Sequence, residues 1–264
     1  MVEGRMPKAE SLLQKYHQMN PSDSKVLIDL GDVYSYKKDW DQAIENYKKA
    51  VTLEPKNPEY LFKLGGAYGM KALLVSKLEA LLYIPDIKKN LEMSARIDPN
   101  QVESRRALVE LYVQLPGIIG GSTKKAAEYA RQLESISPIN AFLAKGYIAK
   151  YNDEKLNSLQ CYKKAFSSYS SSSEEVSNSI NYQLGEISAE EHINLQQGLQ
   201  LLEKYIQNYS YKDIYSLEWA YFRKAQLYLY LNEKQSAERA IDKALSLKGD
   251  FKEAVKIKRR IQSR

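Results

Sequence analysis

The chain has 264 residues, of which 44% are hydrophobic, and it carries a net charge of +6. No apolar run is long enough to span a bilayer, because the longest, residues 72–84, is interrupted by Lys77 and Glu79. Lysines alternate with acidic residues along most of the chain, which is typical of solvated helix surfaces and argues against a nucleic-acid interface. The single cysteine, Cys161, excludes an internal disulfide framework.

The N-terminal residues 1–23 predict half of a helix pair. The spacing of a second helix is kept by Ala9, Leu13, Tyr16 and Pro21, and the matching first helix would precede the first residue. A lone second helix leaves one apolar side without its partner, which stacked helix pairs do not favour. We therefore expect either that the sequence is a fragment or a processed form, or that this side binds another subunit.

Residues 24–57 carry the clearest pattern in the chain. The marker residues are Leu27, Leu30, Gly31 and Tyr34 on one helix, Ala43, Tyr47 and Ala50 on the next, and Pro55 after it. Small residues fit where two helices cross, tyrosines fill the space between pairs, and proline cannot continue a helix. The segment therefore predicts two antiparallel helices, and its pattern resembles the tetratricopeptide repeat (TPR).

The same spacing recurs, with decreasing fidelity, over nearly the whole chain. We predict about six repeats, at residues 24–57, 58–101, 102–138, 139–170, 174–210 and 214–249, and a C-terminal capping helix at 250–264. The predicted fold is all-α: a right-handed superhelical solenoid of antiparallel helix pairs that forms one domain over residues 1–264. The serine-rich run 167–173 predicts a mobile loop between two of these units.

The second unit contains an insertion between Met70 and Asp86. We predict an extended first helix, from about Glu59 to Leu82, which continues beyond the end of a normal repeat helix. The extra part carries Leu74, Leu78, Leu81 and Leu82. Either these leucines pack on the loop after Pro116, with Ile118 and Ile119 tucked against the extended helix, or they form an exposed surface for a partner or a second copy.

The loop from Gly117 to Lys125 places glycines, hydroxyl residues and lysines before a helix, but it lacks the spacing and the preceding strand of a P-loop. We predict positive φ in this turn and a helix cap by Ser122 or Thr123, with anion binding at the helix N-terminus as an open alternative. Together with the extended helix, the PGIIGGS sequence at 116–122 looks like a bacterial branch of TPR proteins, many of which are exported. That resemblance implies an architecture and no particular activity.

No pattern in the sequence predicts catalysis or metal binding. The two histidines, His17 and His192, lie far apart, and neither has a possible ligand at metal-binding spacing. No serine stands in a nucleophile elbow. We therefore expect a protein that is not an enzyme and holds neither a cofactor nor a metal.

The TPR resemblance implies that the first helices of successive pairs line a concave groove. Residues in phase with that face include the predicted partner-binding residues Tyr36, Phe62, Arg106, Glu110, Tyr147, Tyr151, Tyr182, Trp219 and Phe222. Rings would supply contact area, and Arg106 with Glu110 would fix the register of a bound segment. The lysine and asparagine with which some TPR domains hold a peptide's C-terminal carboxylate are missing, so chaperone C-termini are not expected ligands.

Two functions remain open at this stage. The first is a non-catalytic scaffold that binds a peptide or a helix of a partner protein in the groove. The alternative is a structural subunit that assembles through the incomplete N-terminal repeat or through the helix from Leu74 to Leu82, with a homo-oligomer as one form of this assembly. Nucleic acid is not an expected partner, and the sequence leaves the compartment open between the bacterial periplasm and the cytoplasm.

Overall fold

The computed structural model describes residues 6–171, 176–210 and 213–262. Within these ranges the chain forms fourteen α-helices and no β-strand, so the predicted all-α class is confirmed. The helices divide into two compact units, Met1–Ser158 and Leu159–Arg264, which we call unit 1 and unit 2.

Unit 1 is built from helices that pack in antiparallel pairs. They are α1 (Met6–Met19), α2 (Ser24–Tyr36), α3 (Trp40–Leu53), α4 (Pro58–Ala72), α5 (Lys77–Ile97), α6 (Val102–Gln114), α7 (Thr123–Gln132) and α8 (Pro138–Tyr151). The pairs are α2 with α3, α4 with α5 and α6 with α7, and each second helix also packs on the next first helix. First helices meet one another as well, α4 with α6 and α6 with α8. One continuous cluster of buried side chains runs from Leu27 to Ala144.

Unit 2 repeats this arrangement. The unit boundary falls inside α9 (Lys155–Ser171), which is followed by α10 (Asn178–Glu191), α11 (Leu195–Gln207), α12 (Leu217–Tyr230), α13 (Lys234–Leu247) and α14 (Lys252–Gln262). Helix α10 pairs with α11, and α12 pairs with α13 and touches α10. The predicted capping segment contains α14, which packs on α13 through the buried residues Phe251, Ala254 and Ile261.

Small residues lie where the paired helices cross, as the sequence pattern indicates. A Cβ added to Gly31 would lie 2.3 Å from the Tyr47 ring, and one added to Gly185 would lie 2.4 Å from the Leu202 side chain. Both distances are far shorter than carbon–carbon contact allows, so these two crossings require glycine. The helices start at polar caps: Asp23, for example, accepts hydrogen bonds from the amides of Lys25 and Val26.

The predicted extended helix from Glu59 to Leu82 is wrong, because α4 ends at Ala72. Ser76 accepts a hydrogen bond from the Glu79 amide, at 3.3 Å, and so caps a new helix. The inserted residues therefore lengthen the second helix of the pair, α5, which has 21 residues and includes Pro85. The insertion lies at the position predicted from the sequence, but it lengthens the second helix of the pair, α5, and not the first helix, α4.

The leucines of this insertion do not pack on the loop after Pro116. Leu74, Leu78 and Leu82 are each at least two-thirds exposed, and Ile118 is 96% exposed. The loop contacts α5 through Lys88 instead, whose Nζ donates to the carbonyl oxygens of Ile119 (3.3 Å) and Gly120 (2.8 Å). The loop is held by its backbone, so the apolar contact predicted for Ile118 does not form.

Two further predictions for loops have different outcomes. Gly120 has φ of +90°, and Ser122 accepts a hydrogen bond from the Lys125 amide, so the predicted turn and helix cap are confirmed. The predicted loop at 167–173 is wrong as far as Ser171, where α9 ends, and residues 172–173 lie outside the described part of the chain. Serine hydroxyls there bond to the carbonyl four residues earlier, as Ser170 does to Phe166, which accommodates serine inside a helix.

Candidate functional site

The predicted groove residues of unit 1 lie on the first helices α2, α4, α6 and α8. We call the side of these helices that carries Tyr36, Phe62, Arg106, Glu110, Tyr147 and Tyr151 the first-helix face. Helix α4 contacts α6, and α6 contacts α8. Phe62, the Arg106–Glu110 pair and the two tyrosines of α8 therefore lie on neighbouring helices. Tyr36 is the last residue of α2 and lies at the end of that helix.

Helix α6 supplies the charges at the middle of the first-helix face. Arg106 Nη2 lies 3.7 Å from Glu110 Oε1, one helical turn away, and the Arg106 side chain is mostly buried. The Glu110 side chain is about half exposed, yet desolvation by the surrounding protein raises the pKa of its carboxyl and Arg106 lowers it only in part. The pair therefore places one positive and one negative group on a partly exposed surface.

Aromatic rings flank this pair on both neighbouring helices. Phe62 of α4 is half-buried, with one part packed on the core. Tyr147 of α8 is also half-buried; burial raises the pKa of its hydroxyl, which accepts a hydrogen bond of 2.8 Å from Gln114 Nε2. Tyr151, one turn further on, is 56% exposed. Ring surface of three aromatic residues is thus accessible next to an ion pair.

A second ion pair lies on α2 and α4. Lys63 Nζ donates to both carboxylate oxygens of Asp32, at 2.7 and 2.8 Å, and Tyr47 donates its hydroxyl to the same carboxylate at 2.7 Å. Sequence reasoning did not identify Lys63 as the partner of Asp32. The signal was present, because residues 32 and 63 occupy nearly equivalent places in consecutive repeats and have opposite charges.

In unit 2 the structure corrects the predicted site. Tyr182 is 2% exposed and stacks on Tyr215 with 4.1 Å between ring centroids, and Phe222 is 5% exposed and packs on Phe251. Both rings fill the core next to aromatic residues distant in sequence, so neither offers a surface to a ligand. Trp219 remains half-buried, with its ring against Phe222 and Phe251.

Unit 2 presents instead a charged cluster around Arg223, a residue that sequence reasoning missed. Arg223 of α12 donates through Nη2 to Glu186 and to Glu190 of α10, at 2.7 Å each, and through Nη1 to Gln226. Arg223 stands four residues after Trp219, on the same helical stripe, and this spacing could have identified it. Two carboxylates and one guanidinium leave a local excess of negative charge beside an aromatic ring.

The structure gives no support for a reactive centre among the residues that it describes. No group of three or more histidine, cysteine, aspartate or glutamate side chains is arranged to hold a metal ion in that part of the chain. A cavity of about 380 Å³ lies between α5 and α7, away from the first-helix face, and is lined by Glu92, Ala95, Arg96, Tyr129 and Gln132. None of the described helices combines the length and the apolar content needed to cross a membrane.

Comparison with known proteins agrees with this architecture. Residues 31–71 match the family model of the TPR repeat, and residues 220–251 match that of the tetratricopeptide repeat. No curated protein matches the chain. A tetratricopeptide repeat protein from Parabacteroides merdae is similar in structure, with a TM-score of 0.57 at 14% identity over 99% of this chain and 94% of that one.

Two other solved structures show the same fold. A chain of the APC/C hetero-tetramer Cut9–Hcn1 has a TM-score of 0.60 at 12% identity, over 98% of this chain and 46% of that one. The MamA protein has a TM-score of 0.50 at 20% identity, over 67% of this chain and 91% of that one. The chain thus contains a matched tetratricopeptide repeat in each unit, and its described residues fold as the helix pairs that this repeat forms.

Proposed function

We propose that the protein is a non-catalytic scaffold whose first-helix face in unit 1 binds a peptide or a helix of a partner protein. The observation that supports this most is the set of partly exposed rings of Phe62, Tyr147 and Tyr151 beside the Arg106–Glu110 pair. Aromatic side chains supply large contact areas at low entropic cost, and they are over-represented among residues that dominate binding.

The charges on this face favour an extended or helical segment over a small molecule. Asp32 with Lys63 on α2 and α4, and Arg106 with Glu110 on α6, place charges of both signs along the face. A bound segment that carries both signs of charge can match such a series in only one register. We therefore infer that the rings provide affinity and that the ion pairs help to select the register of the partner.

The first test is capture of partners from a lysate of the source organism, followed by quantification of each captured protein. We expect the variant Phe62→Ala/Tyr147→Ala to lose its partners by at least about tenfold, because each truncation of a dominant aromatic residue costs about 1–2 kcal/mol. The control is Tyr230→Ala, which removes a partly exposed ring outside the first-helix face and outside the other candidate surfaces. Partners retained by the first variant at wild-type strength would contradict the proposal.

A charge reversal tests the assigned register. With the captured partner, or with peptides selected from a random library on the wild-type protein, Arg106→Glu/Glu110→Arg keeps the net charge and inverts the pair. We expect weaker binding to the wild-type ligand and selection of ligands with the opposite charge order. Unchanged ligand preference would show that the pair takes no part in recognition.

A second candidate function is assembly through surfaces outside the first-helix face. Helix α1 exposes Leu12, Tyr16 and Met19, and the insertion exposes its leucines. Contiguous apolar surface of this kind marks interaction sites in soluble proteins. This candidate does not compete with the first, because the two use different residues.

A further inference from the structure

Five leucines in ten residues form an exposed apolar surface at the start of α5. We call Leu73, Leu74, Leu78, Leu81 and Leu82 the leucine patch; each is between 40% and 80% exposed. Leu73 and Leu74 lie in the turn after α4, and the other three lie in the first two turns of α5. No other described segment of comparable length exposes as many large hydrophobic side chains.

The patch faces away from the core of its own unit. Leu78, Leu81 and Leu82 have the i, i+3, i+4 spacing of one helical face. The buried side of α5 carries Tyr83, whose ring lies 6.1 Å from that of Tyr68, and Ile87, which is 4% exposed. Ile87 follows Leu82 by five positions, which is about half a turn around the helix axis, so no repacking of unit 1 can bury both faces.

The size of the patch suits an interface between two copies. The five residues expose roughly 600 Å², as much as the largest patch on a typical monomer. If two such patches meet, roughly 1,200 Å² leaves the solvent, which is the lower limit for a specific and stable protein interface. The leucine patch of a second copy of the chain supplies this area, and no other protein is needed to cover it.

The charges around the patch favour a second copy over a lipid surface. Within residues 73–82 the charged side chains are Lys77 and Glu79, which cancel. A membrane-binding helix carries several lysines and arginines along its apolar face, and residues 73–82 contain only Lys77. Two neutral patches also meet without like-charge repulsion.

We propose that the protein forms a symmetric dimer in which the leucine patches of two copies pack against each other. This inference rests on the second candidate function and names its partner. The interface is isologous, so the same residues are buried on both sides. The first-helix faces take no part and stay open for ligands in the dimer.

Sedimentation velocity over a wide range of protein concentration tests the dimer. We expect the wild-type protein to pass from monomer to dimer and Leu78→Glu/Leu82→Glu to raise the dissociation constant by more than about 100-fold, since the change places unpaired charges in an apolar contact. The matched control Leu156→Glu/Ile214→Glu alters two exposed apolar residues elsewhere and keeps the wild-type constant. Because all four side chains are exposed, circular dichroism should show the same helix content in each variant.

Three outcomes overturn the dimer. A wild-type protein that stays monomeric at all concentrations does so, and so does a Leu78→Glu/Leu82→Glu variant that dimerises normally. Binding of the monomer to phosphatidylcholine or phosphatidylserine vesicles, lost in the same variant, would assign the patch to lipid. The variant Phe62→Ala/Tyr147→Ala should dimerise as the wild type does. A loss of captured partners in that variant therefore results from the change in the first-helix face and not from a loss of the dimer.

Discussion

At the scale of single residues, Arg105 shows how much one side chain can hold together. It is 5% exposed, and its guanidinium donates to the carbonyl oxygens of Ala95 and Asp98 at the end of α5, to that of Gln101, and to the Gln132 side chain at the end of α7. The Ala95 carbonyl lies in the last turn of α5, where helix carbonyls lack partners within the helix. Burial lowers the pKa of Arg105, but an arginine stays charged at neutral pH.

We expect Arg105→Lys to lower the free energy of unfolding by about 2–3 kcal/mol, because one ammonium group cannot reach acceptors that a planar guanidinium spans. Chemical denaturation of unit 1, followed by circular dichroism, measures the change. Arg131→Lys, at an exposed position of α7, serves as the control and should change stability by less than about 0.5 kcal/mol. Equal stability of the two variants would show that the four hydrogen bonds contribute little.

The sequence pattern predicted a binding role for Arg106 but did not identify the structural role of its neighbour Arg105. Both are arginines on α6, and only the helical phase separates the residue on the first-helix face from the one turned to α5 and α7. Helical phase alone also led to the prediction that Tyr182 and Phe222 line the groove. Their phase is that of the groove, but Tyr215 and Phe251 cover them, and those residues come from turns whose path the repeat pattern does not specify.

At the scale of helices, the repeat pattern predicts the pairs well because it records contacts between them. The small residue at 31 faces the Tyr47 ring, whose hydroxyl is fixed by Asp32 and Ser35. The end of α4 was harder to predict, because apolar residues continue past Ala72 without a break. Ser76 followed by Glu79 has the spacing of a capping box and was the signal for the new helix.

We expect Gly31→Ala to destabilise unit 1 by about 1–3 kcal/mol, because the new methyl group must displace a buried and hydrogen-bonded ring. Gly66→Ala provides the contrast, since a Cβ there meets no atom within 4 Å. In the middle of α4 alanine is the better helix former, so this variant should gain up to about 1 kcal/mol. Thermal or denaturant unfolding separates the two, and a loss of stability in both would disprove the crossing argument.

At the scale of the whole molecule, buried tyrosines make stability depend on alkaline pH. Burial raises the pKa of Tyr47 and Tyr112 in unit 1 and of Tyr182 and Tyr205 in unit 2 above the ordinary value of about 10. The folded state therefore keeps these protons where the unfolded state loses them. The resulting stability is complete below pH ~10 and is lost as the pH rises further.

We expect the free energy of unfolding of each unit to fall by at least about 3 kcal/mol per pH unit above pH ~10, because each carries at least two such tyrosines. Denaturant titrations monitored by circular dichroism, at pH values on both sides of that point, measure the slope. Tyrosinate absorbance gives an independent reading. Ionisation of these tyrosines at their ordinary pKa, before any loss of helix, would contradict their burial.

Packing in which each helix pair touches only its neighbours has a mechanical consequence. No strand or long-range link in the described residues ties the first pair of unit 1 to its last. Tension applied to the N-terminal end should peel α1 away first and then detach one pair after another, each step releasing a short length of chain at low force. In an optical-tweezers experiment, unit 1 should extend gradually as the force rises and return to its original length when the force is removed.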